Sequence, residues 1–505
     1  MQEVETAIAA DPPRDPARWW GMGEVVHLAI PTVINTVSYT LMQFVDGWMI
    51  AFLGKEALSA QFMGGITSFT PLCFFMGVLS CVSTFASQNL GAGRKERSAV
   101  YGWQGLWVAW VAAGALAMLI PVAPWLLGLF GHEPAVAHLE TRYFQVLIAG
   151  AGFALSASAL GAFFLGIHRP MVTLAAGVTG NVVNLAAAYV LIFGHAGFPK
   201  LGLVGAAIGS IAGAAVQMLV MLIPFLAGRI ARDYAVRRQS RPSWRAIKEL
   251  LRIGAPAGGM FLADVLMWAL FMGAVVGSFG TSHLAAAAIL NRYWHLCFMP
   301  AIGVSAAVTA VVGRYCGARQ PRLAWRRAHA GLVLVEAYMV TCGAAIWWGR
   351  DFLVRLFNMT AWAATAGDPL AFLAVLFGGS RRELPAEDPA VQAIATSAVI
   401  FILICQAFDA LNVIFIGALR GAGDTLWPGI VQTVLAYGLG LGGAVLVAHL
   451  KPEWGSLGPW GAASGYIMLL GLVMWGRFLR GKWRAMTVVE APVPQVEEPA
   501  VLPPV

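Results

Sequence analysis

Long apolar runs alternate with short polar connections along most of the chain. A helix needs ~20 predominantly apolar residues to cross the hydrocarbon core of a bilayer. The connections hold clusters of turn-forming residues, for example 91–93 and 421–424. The pattern predicts an all-α polytopic membrane protein with twelve transmembrane helices. The predicted ranges are 24–53, 57–88, 99–130, 138–167, 171–195, 203–228, 247–279, 283–313, 325–356, 391–419, 427–449 and 457–480.

The composition supports a chain that is embedded mostly in lipid. Of the 505 residues, 59% are hydrophobic and 11% are Asp, Glu, Lys or Arg, whereas soluble domains contain about 25% charged residues. This composition excludes a water-soluble enzyme and also the charge-rich composition of disordered chains. The net charge of +8 does not indicate nucleic-acid binding, because the basic residues lie between the apolar runs. The chain contains no HExxH, GxSxG or P-loop sequence, so we expect no enzyme activity.

Lysine and arginine are distributed unevenly between alternate connections. One set of connections, together with the chain ends, carries 24 of the 33 basic residues, and the other set carries 8. Because basic connections are retained in the cytoplasm, the bias predicts that both termini are cytoplasmic. We expect residues 1–23 to form a cytoplasmic segment, 229–246 a basic linker and 481–505 a disordered tail.

The second half of the sequence repeats the first. Gly303 repeats Gly77 and Gly317 repeats Gly91, both at an offset of 226 residues (303 minus 77). Further along, the offset grows to 255 residues (421 minus 166), which predicts an insertion at about 359–387 between helices 9 and 10. Its apolar stretch is too short to span, so we expect an interfacial or re-entrant segment on the extracytoplasmic side.

The repeat divides the chain into two lobes of six helices each, residues 24–228 and 247–480. Since six is even, the lobes have the same topology and are related by a pseudo-two-fold axis along the membrane normal. This is a transporter architecture, in which the substrate path lies between the repeats near the bilayer midplane.

Motifs at matching places along these helices resemble those of a known family. They are FVDG at 44–47, SQNLGAGR at 87–94, NVVN at 181–184 and GALRGAGDT at 417–425. In this order they are similar to motifs of the multidrug and toxic compound extrusion (MATE) transporters. The resemblance implies export of organic, often cationic and amphipathic, small molecules in exchange for H+ or Na+, without another cofactor. We expect a monomer in the lipid of a bacterial inner membrane, with no nucleic-acid partner.

Three aspartates lie inside predicted helices, many residues from the helix ends: Asp46, Asp264 and Asp409. An ionisable side chain at such a depth is costly and is a functional candidate by default. A carboxylate can coordinate Na+ through its oxygen atoms or carry a proton. We therefore predict that all three couple transport to a cation, with Asp264 and Asp409 as the pair that would hold Na+.

The resemblance assigns these residues to family positions. Asp46 matches the helix-1 acid, Asp264 a helix-7 position that is Glu in many bacterial members, and Asp409 the helix-10 acid. Asn184 matches a polar residue near the helix-1 acid. The chain departs from the pattern at Ala188, where members with a cation site in the N-terminal lobe often have an acid. This departure disfavours a two-carboxylate site there and leaves Asp46 as a lone proton carrier.

Two more charged residues, Arg292 and Glu336, lie deep within predicted helices, and apolar residues are near the acids in sequence. A buried Arg292 needs an anionic partner, which would keep Asp264 or Asp409 ionised; alternatively, Arg292 reaches the outer interface. Glu336 is a second candidate electrostatic partner. Candidates for a cavity that binds flat cations are Phe44, Met260, Phe261, Trp268, Trp294, Gln406 and Phe408.

A second function stays open on the sequence alone. A flippase for lipid-linked precursors or polysaccharides, on the related two-lobe fold, would carry a phosphate-bearing substrate through a basic cavity. The intramembrane aspartates argue against this function, and Arg292 argues mildly for it.

Overall fold

The computed structural model describes residues 21–129, 132, 134–365 and 389–489. Within these ranges the chain is helical and contains no β-strand. Ten helices, and two further pairs if each bent pair is one span, are long and apolar enough to cross a membrane. This confirms the all-α fold with twelve spanning elements. In chain order, α1 to α12 are Met22–Ala51, Glu56–Gly91, Lys95–Ala117 with Leu119–Gly128, Val136–Ala149 with Ala151–Gly166, Pro170–Phe193, Leu203–Leu226, Trp244–Phe279, Ser282–Gly317, Pro321–Val354, Pro389–Ala422, Leu426–Leu450 and Leu457–Leu479.

Two elements bend within their spans. The halves of α3 meet at 52° next to Met118, and the halves of α4 meet at 47° next to Gly150. A side chain at Gly150 would collide with Ile211 of α6. Glycine at the α4 bend therefore permits the close approach of these two helices.

Two other helices contain π-helical turns. The turn in α7 is Phe271–Val276, and the turn in α11 is Ala436–Gly442. The helices are neighbours, because Tyr437 Oη donates a hydrogen bond to the Ala263 carbonyl oxygen at 3.2 Å. Since π turns occur frequently at functional sites, this helix pair is a candidate region.

Elements α1–α6 and α7–α12 form two lobes that meet along α1, α2, α7 and α8. Glycines allow their backbones to approach closely. A Cβ atom on Gly77 would lie 2.6 Å from Gly258 Cα, and one on Gly303 would lie 2.9 Å from Val33 N and 3.1 Å from the Thr32 carbonyl carbon. The two contacts are related by the 226-residue offset of the repeat (303 minus 77, 258 minus 32). The lobes thus meet across the predicted pseudo-two-fold axis.

Hydrogen bonds join the lobes on one side, which we call the basic side because the arginine-rich connection 227–243 lies there. Thr84 Oγ1 and Gln88 Nε2, near the end of α2, donate to the carbonyl oxygens of Arg420 and Gly421 at the end of α10, each at 2.9 Å. Both ends of the interaction are buried helix termini, so the contact fixes the lobes relative to each other.

An ion pair adds to the interlobe contacts on the basic side. Glu24, in the first turn of α1, lies 2.7 Å from Arg327 Nε of α9 and accepts a hydrogen bond from Tyr315 Oη of α8 at 2.8 Å. Arg327 is buried. The N-terminal lobe is therefore held to two helices of the C-terminal lobe at this point.

The hydrophobic cores of the two lobes overlap on the basic side. Leu28 and Ala29 of α1 are buried in the core of the C-terminal lobe, whereas Leu250 and Ala257 of α7 are buried in the core of the N-terminal lobe. Each lobe thus contributes the first half of its first helix to the other lobe's core. A third cluster, which includes Ile50, lies within the N-terminal lobe alone.

The connection between the lobes and the region of the predicted insertion differ from simple loops. The linker contains a short helix, Gly228–Asp233, and a 3₁₀ turn, Val236–Gln239. The helix of α9 continues to Thr365, into the predicted insertion. The rest of that insertion, 366–387, lies outside the described residues.

The chain after α12 begins as ordered structure rather than as the predicted disordered tail. Residues Lys482–Ala485 form a 3₁₀ turn. Trp483 is fully buried, and its ring stacks on Phe478 with a centroid distance of 4.7 Å. Burial of this indole explains the order. Residues 490–505 and the predicted N-terminal segment 1–20 lie outside the described residues.

Candidate functional site

Two of the predicted carboxylates come together in the C-terminal lobe. Asp264 and Asp409 lie near the middle of α7 and α10, within electrostatic range of each other. Asp264 Oδ1 accepts a hydrogen bond from Gln432 Nε2 at 3.1 Å, and Asp409 Oδ1 accepts one from Asn412 Nδ2 at 3.5 Å. Asp409 is 4% exposed. Among the described residues, amide groups hold both acids.

Several buried amide atoms at this site have no hydrogen-bond partner in the described structure. They include Gln432 Oε1 and Asn412 Oδ1 beside the two acids, and both polar atoms of the Gln406 amide. A buried acceptor without a donor costs free energy. Such oxygen atoms, together with carboxylates, are the ligand type that hard cations prefer.

Aromatic hydroxyl groups complete the surroundings of the pair. Tyr466 of α12 is almost fully buried and lies within electrostatic range of both Asp264 and Asp409. Tyr437, in the π turn of α11, lies within range of Asp264. The site is thus built from four helices of one lobe, α7, α10, α11 and α12.

Asp46 forms a separate polar site in the N-terminal lobe. It lies little more than one turn before Ala51, the last residue of α1, and so nearer a helix end than expected, but it is 4% exposed. The Asn184 side chain of α5 lies beside the carboxylate and donates to Ser210 Oγ at 3.3 Å. Asp46 Oδ1 and Asn184 Oδ1 have no partner among the described atoms. Ala188, one turn further along α5, is fully buried in an apolar cluster.

The two predicted electrostatic partners differ from the acids in their surroundings. Arg292 is exposed on α8, and Glu336 is half-buried on α9. The hydrogen bonds to Asp264 and Asp409 come from the amides described above. A direct role of Arg292 or Glu336 stays a prediction.

Two of the predicted cavity residues pack together in the C-terminal lobe. The rings of Trp268 and Trp294 are 5.8 Å apart, and Trp268 also contacts Phe271 and Trp460 at 5.5 and 6.4 Å. All four residues belong to or pack against the core of this lobe. The cluster packs around the part of α7 that follows Asp264.

The remaining cavity candidates are spread over both lobes. The Phe261 ring meets Phe69 of α2 edge to face at 6.0 Å, across the lobe boundary. Met260 lies beside Gly429 of α11. Phe44 on α1 is more than half exposed, and Phe408 on α10 is partly buried. Phe261 therefore lies at the lobe boundary, Met260 lies within the C-terminal lobe one turn before Asp264, and Phe44 lies two residues before Asp46.

Several polar residues of interest were not predicted from the sequence, among them Asn412 and Tyr437 of the C-terminal site. Gln432 could have been identified from the sequence, because a glutamine within an apolar run is unusual. Tyr466 could not, since aromatic residues are common in membrane helices. Glu140 of α4 is fully buried and lies 3.0 Å from His132. Because the predicted fourth helix begins at 138, Glu140 lies at its very end, where an acid carries no signal of burial.

Comparison with known proteins agrees with this architecture. The profile of the MatE family matches residues 31–190 and 256–368, more than half of the chain. The probable multidrug resistance protein NorM of Xanthomonas axonopodis pv. citri is 28% identical over 474 residues, which cover 92% of this chain and 95% of that protein. NorM of Pseudomonas aeruginosa is 26% identical over 448 residues, with coverage of 87% and 86%.

A solved structure shows the same fold. A MOP superfamily transporter from Pyrococcus furiosus has a TM-score of 0.79 over 94% of this chain and 98% of that chain, at 19% identity. The sequence relatives and the family match together settle the class of protein. The chain belongs to the MatE family of multidrug and toxic compound extrusion transporters, and it is a multi-pass membrane transporter and not an enzyme.

Proposed function

We propose that the protein is a secondary active antiporter that exports organic, amphipathic cations in exchange for H+ or Na+. The two lobes alternate access to a central path in a bacterial cytoplasmic membrane. The uneven distribution of basic residues supports a cytoplasmic basic side, with both termini there. In this proposal the protein works as a monomer surrounded by lipid, and the coupling ion is the sole cofactor.

The observation that carries this proposal is the set of acids and unpaired acceptors in the C-terminal lobe. Asp264 and Asp409 have amide partners, and Gln432 Oε1 and Asn412 Oδ1 have no donor among the described atoms. Two carboxylates and two amide oxygens without a hydrogen-bond donor, in apolar surroundings, favour the binding of a cation. A Na+ ion would take these oxygens as ligands, and a proton would be shared by the two carboxylates.

The interlobe contacts support alternating access. Hydrogen bonds and the Glu24–Arg327 ion pair join the lobes on the basic side, while the apolar cluster around Ile50 stays within one lobe. This arrangement suits a state that is closed to the cytoplasm. Transport then requires these contacts to separate, and cation binding or release at the acids biases the two states.

Asp46 has a secondary place in this proposal. It lacks a second carboxylate at position 188, and the Asn184 side chain lies beside it. A single carboxylate beside an amide suits a proton better than a multiply coordinated metal ion. We therefore assign proton binding to Asp46 and the main coupling site to the C-terminal pair.

We do not propose the flippase function. A phosphate-bearing substrate would need cationic side chains along its path. The charged groups at the two polar sites are instead the carboxylates of Asp264, Asp409 and Asp46, and Arg292 is exposed on α8.

The test is uptake of a fluorescent organic cation into inverted membrane vesicles. Uptake is driven first by a pH gradient alone and then by a Na+ gradient alone. We expect uptake with one gradient, and that gradient identifies the coupling ion. Absence of uptake with both gradients would contradict the proposed antiport.

Variants of the acids show which of the two sites couples transport to the cation. Asp264→Asn and Asp409→Asn keep the shape of each side chain but remove its charge, and we expect each to reduce uptake to background. Glu453→Gln is the matched control, because Glu453 is an exposed carboxylate in the connection before α12. Full activity of both aspartate variants, together with loss in Asp46→Asn, would transfer the coupling role to the N-terminal lobe.

A further inference from the structure

The linker between the lobes is a fixed structure on the basic side. Trp103 Nε1 and Trp107 Nε1 of α3 donate to the carbonyl oxygens of Val236 and Ser240, at 2.8 and 3.1 Å. The Gln104 side chain, between them, holds the next part of the linker. Its Nε2 donates to the Arg241 carbonyl oxygen at 3.3 Å, and its Oε1 accepts from the Ser243 amide at 3.0 Å. The arginines of this linker therefore project from a defined backbone.

A cavity of about 380 Å³ lies between this linker and the ends of α3 and α7. This volume lies within the range of ~300–1,000 Å³ that is usual for small-molecule sites. Four arginines, one tyrosine and one glutamate dominate its polar lining. They are Arg97, Tyr101, Arg238, Arg241, Arg245 and Glu249.

The charges in the cavity do not balance. Glu249 accepts hydrogen bonds from Tyr101 Oη at 2.6 Å and from Arg245 Nε at 3.2 Å. Its charge is therefore offset by Arg245. The other three arginines of the cavity form no ion pair with a carboxylate in the described part of the chain. Guanidinium groups bind phosphate bidentately, so three of them in one cavity favour a ligand with more than one phosphate.

Exposed indoles place the cavity at the surface of the bilayer. Trp107 is 40% exposed and Trp244 is 74% exposed, and they flank the linker on α3 and at the start of α7. Tryptophan is enriched at the headgroup level of membranes. Basic pockets of this kind on the cytoplasmic side bind anionic lipid headgroups.

The geometry points to a binding site for the headgroup of an anionic phospholipid that carries two phosphates, the chemistry of cardiolipin. Arg97 belongs to the N-terminal lobe and Arg245 to the C-terminal lobe, with the linker arginines between them. A bound headgroup thus joins the start of α3 to the linker, which together carry the three arginines that form no ion pair among the described residues. This inference concerns lipid binding and does not depend on the coupling ion proposed above.

The test is a lipid titration of the full-length, delipidated protein, followed by native mass spectrometry. The probes are cardiolipin, phosphatidylglycerol, phosphatidylcholine and, as a soluble phosphate source, inorganic diphosphate. We expect cardiolipin to bind at least about tenfold more tightly than phosphatidylglycerol, since each added phosphate can pair with further arginines. Equal binding of diphosphate and cardiolipin would overturn the assignment to a lipid.

Two variants that lose the same number of charges distinguish binding at this cavity from general electrostatic attraction of the lipid to the basic side. Arg97→Gln, Arg238→Gln and Arg241→Gln are combined in one variant, and we expect cardiolipin binding to weaken about a hundredfold. The control variant combines Arg232→Gln, Arg252→Gln and Arg322→Gln, which are exposed basic-side positions outside the cavity. We expect the control to bind within about twofold of the wild type. Equal losses in both variants would overturn the proposal.

A conservative variant covers the case in which the triple glutamine variant does not fold. Arg97→Lys, Arg238→Lys and Arg241→Lys keep the charge but remove the bidentate geometry, and we expect about tenfold weaker binding. Unchanged binding would contradict recognition by guanidinium groups. Both readouts require no transport, so a failure here is distinguishable from a failure of the proposed antiport.

Discussion

Replacement of Gly303 by alanine should shift the conformational balance of the lobes. The new Cβ atom would lie 2.9 Å from Val33 N and 3.0 Å from Val33 Cα of α1. These are backbone atoms, so no flexible side chain can move aside, and α1 and α8 must separate by roughly half an ångström to reach ordinary contact. The same movement weakens the hydrogen bond from Thr32 Oγ1 to the Gly303 carbonyl oxygen, which is 2.8 Å long.

The size of the effect follows from two opposing terms. Overpacking of this kind costs ~1–3 kcal/mol, and this cost falls on the state in which the basic side is closed. Alanine also stabilises the α8 helix itself by up to ~1 kcal/mol relative to glycine. That gain is present in both states and does not affect their ratio. We therefore expect the closed state to lose ~5–150-fold in relative population.

Distances between spin labels across the basic side would measure this shift. Labels at Glu96 and Arg326 report on the two lobes, because both residues are exposed and lie at the ends of α3 and α9. We expect longer distances for Gly303→Ala in nanodiscs. Gly259→Ala is the control, since a Cβ atom at Gly259 has no heavy atom within 4 Å. Equal distance distributions for the wild type and Gly303→Ala, in a folded protein, would refute the reasoning.

Three further predictions concern single side chains. Gln432→Leu removes the hydrogen-bond donor of Asp264, so we expect ~1–3 kcal/mol of lost stability and weaker cation-driven uptake; a variant with wild-type melting temperature and uptake would contradict this. Trp483→Ala leaves a cavity at a fully buried position, so the free energy of unfolding should fall by ~3–5 kcal/mol and the denaturation midpoint should be lower. A midpoint change as small as that of an exposed-residue variant would show that Trp483 does not anchor the turn. Burial lowers the pKa of His168, between α4 and α5, to about 4 from 6.5. The unfolded chain therefore takes up the proton first, and stability should be complete above about pH 6.5 and fall as the pH decreases towards 4. His168→Gln should flatten this part of the pH profile of the melting temperature, and an unchanged profile would exclude His168 as its cause.

The twelve spans were predictable because a membrane helix must satisfy its backbone internally and present an apolar surface over its whole length. The repeat predicted more than the number of helices. Gly77 and Gly303 share an offset in sequence, and each lies where a helix of one lobe meets a helix of the other. A glycine that recurs at an equivalent place in two lobes therefore marks the lobe interface in the sequence itself.

Other features depend on contacts that a linear pattern does not contain. The bend at Gly150 and the π turns of α7 and α11 arise where neighbouring helices approach, so hydropathy alone predicts straight spans there. The acids Asp264 and Asp409 were predicted individually, and the resemblance placed them in one lobe. The amide partner of Asp409, Asn412, lies three residues further along the same helix, whereas Gln432 reaches Asp264 only because α11 packs against α7, which hydropathy does not specify.

The exchange of helix halves between the cores has a consequence for biogenesis. Leu250 and Ala257 of α7 fill part of the N-terminal core, so the first six helices emerge from the ribosome with a gap that their own sequence cannot fill. The gap closes when α7 enters the membrane beside them. Conversely, Leu28 and Ala29 of α1 have no packing partners until the C-terminal core has been synthesised. Neither lobe therefore completes its core alone: the N-terminal core needs α7, and α1 is covered only after α8 and α9 have been inserted.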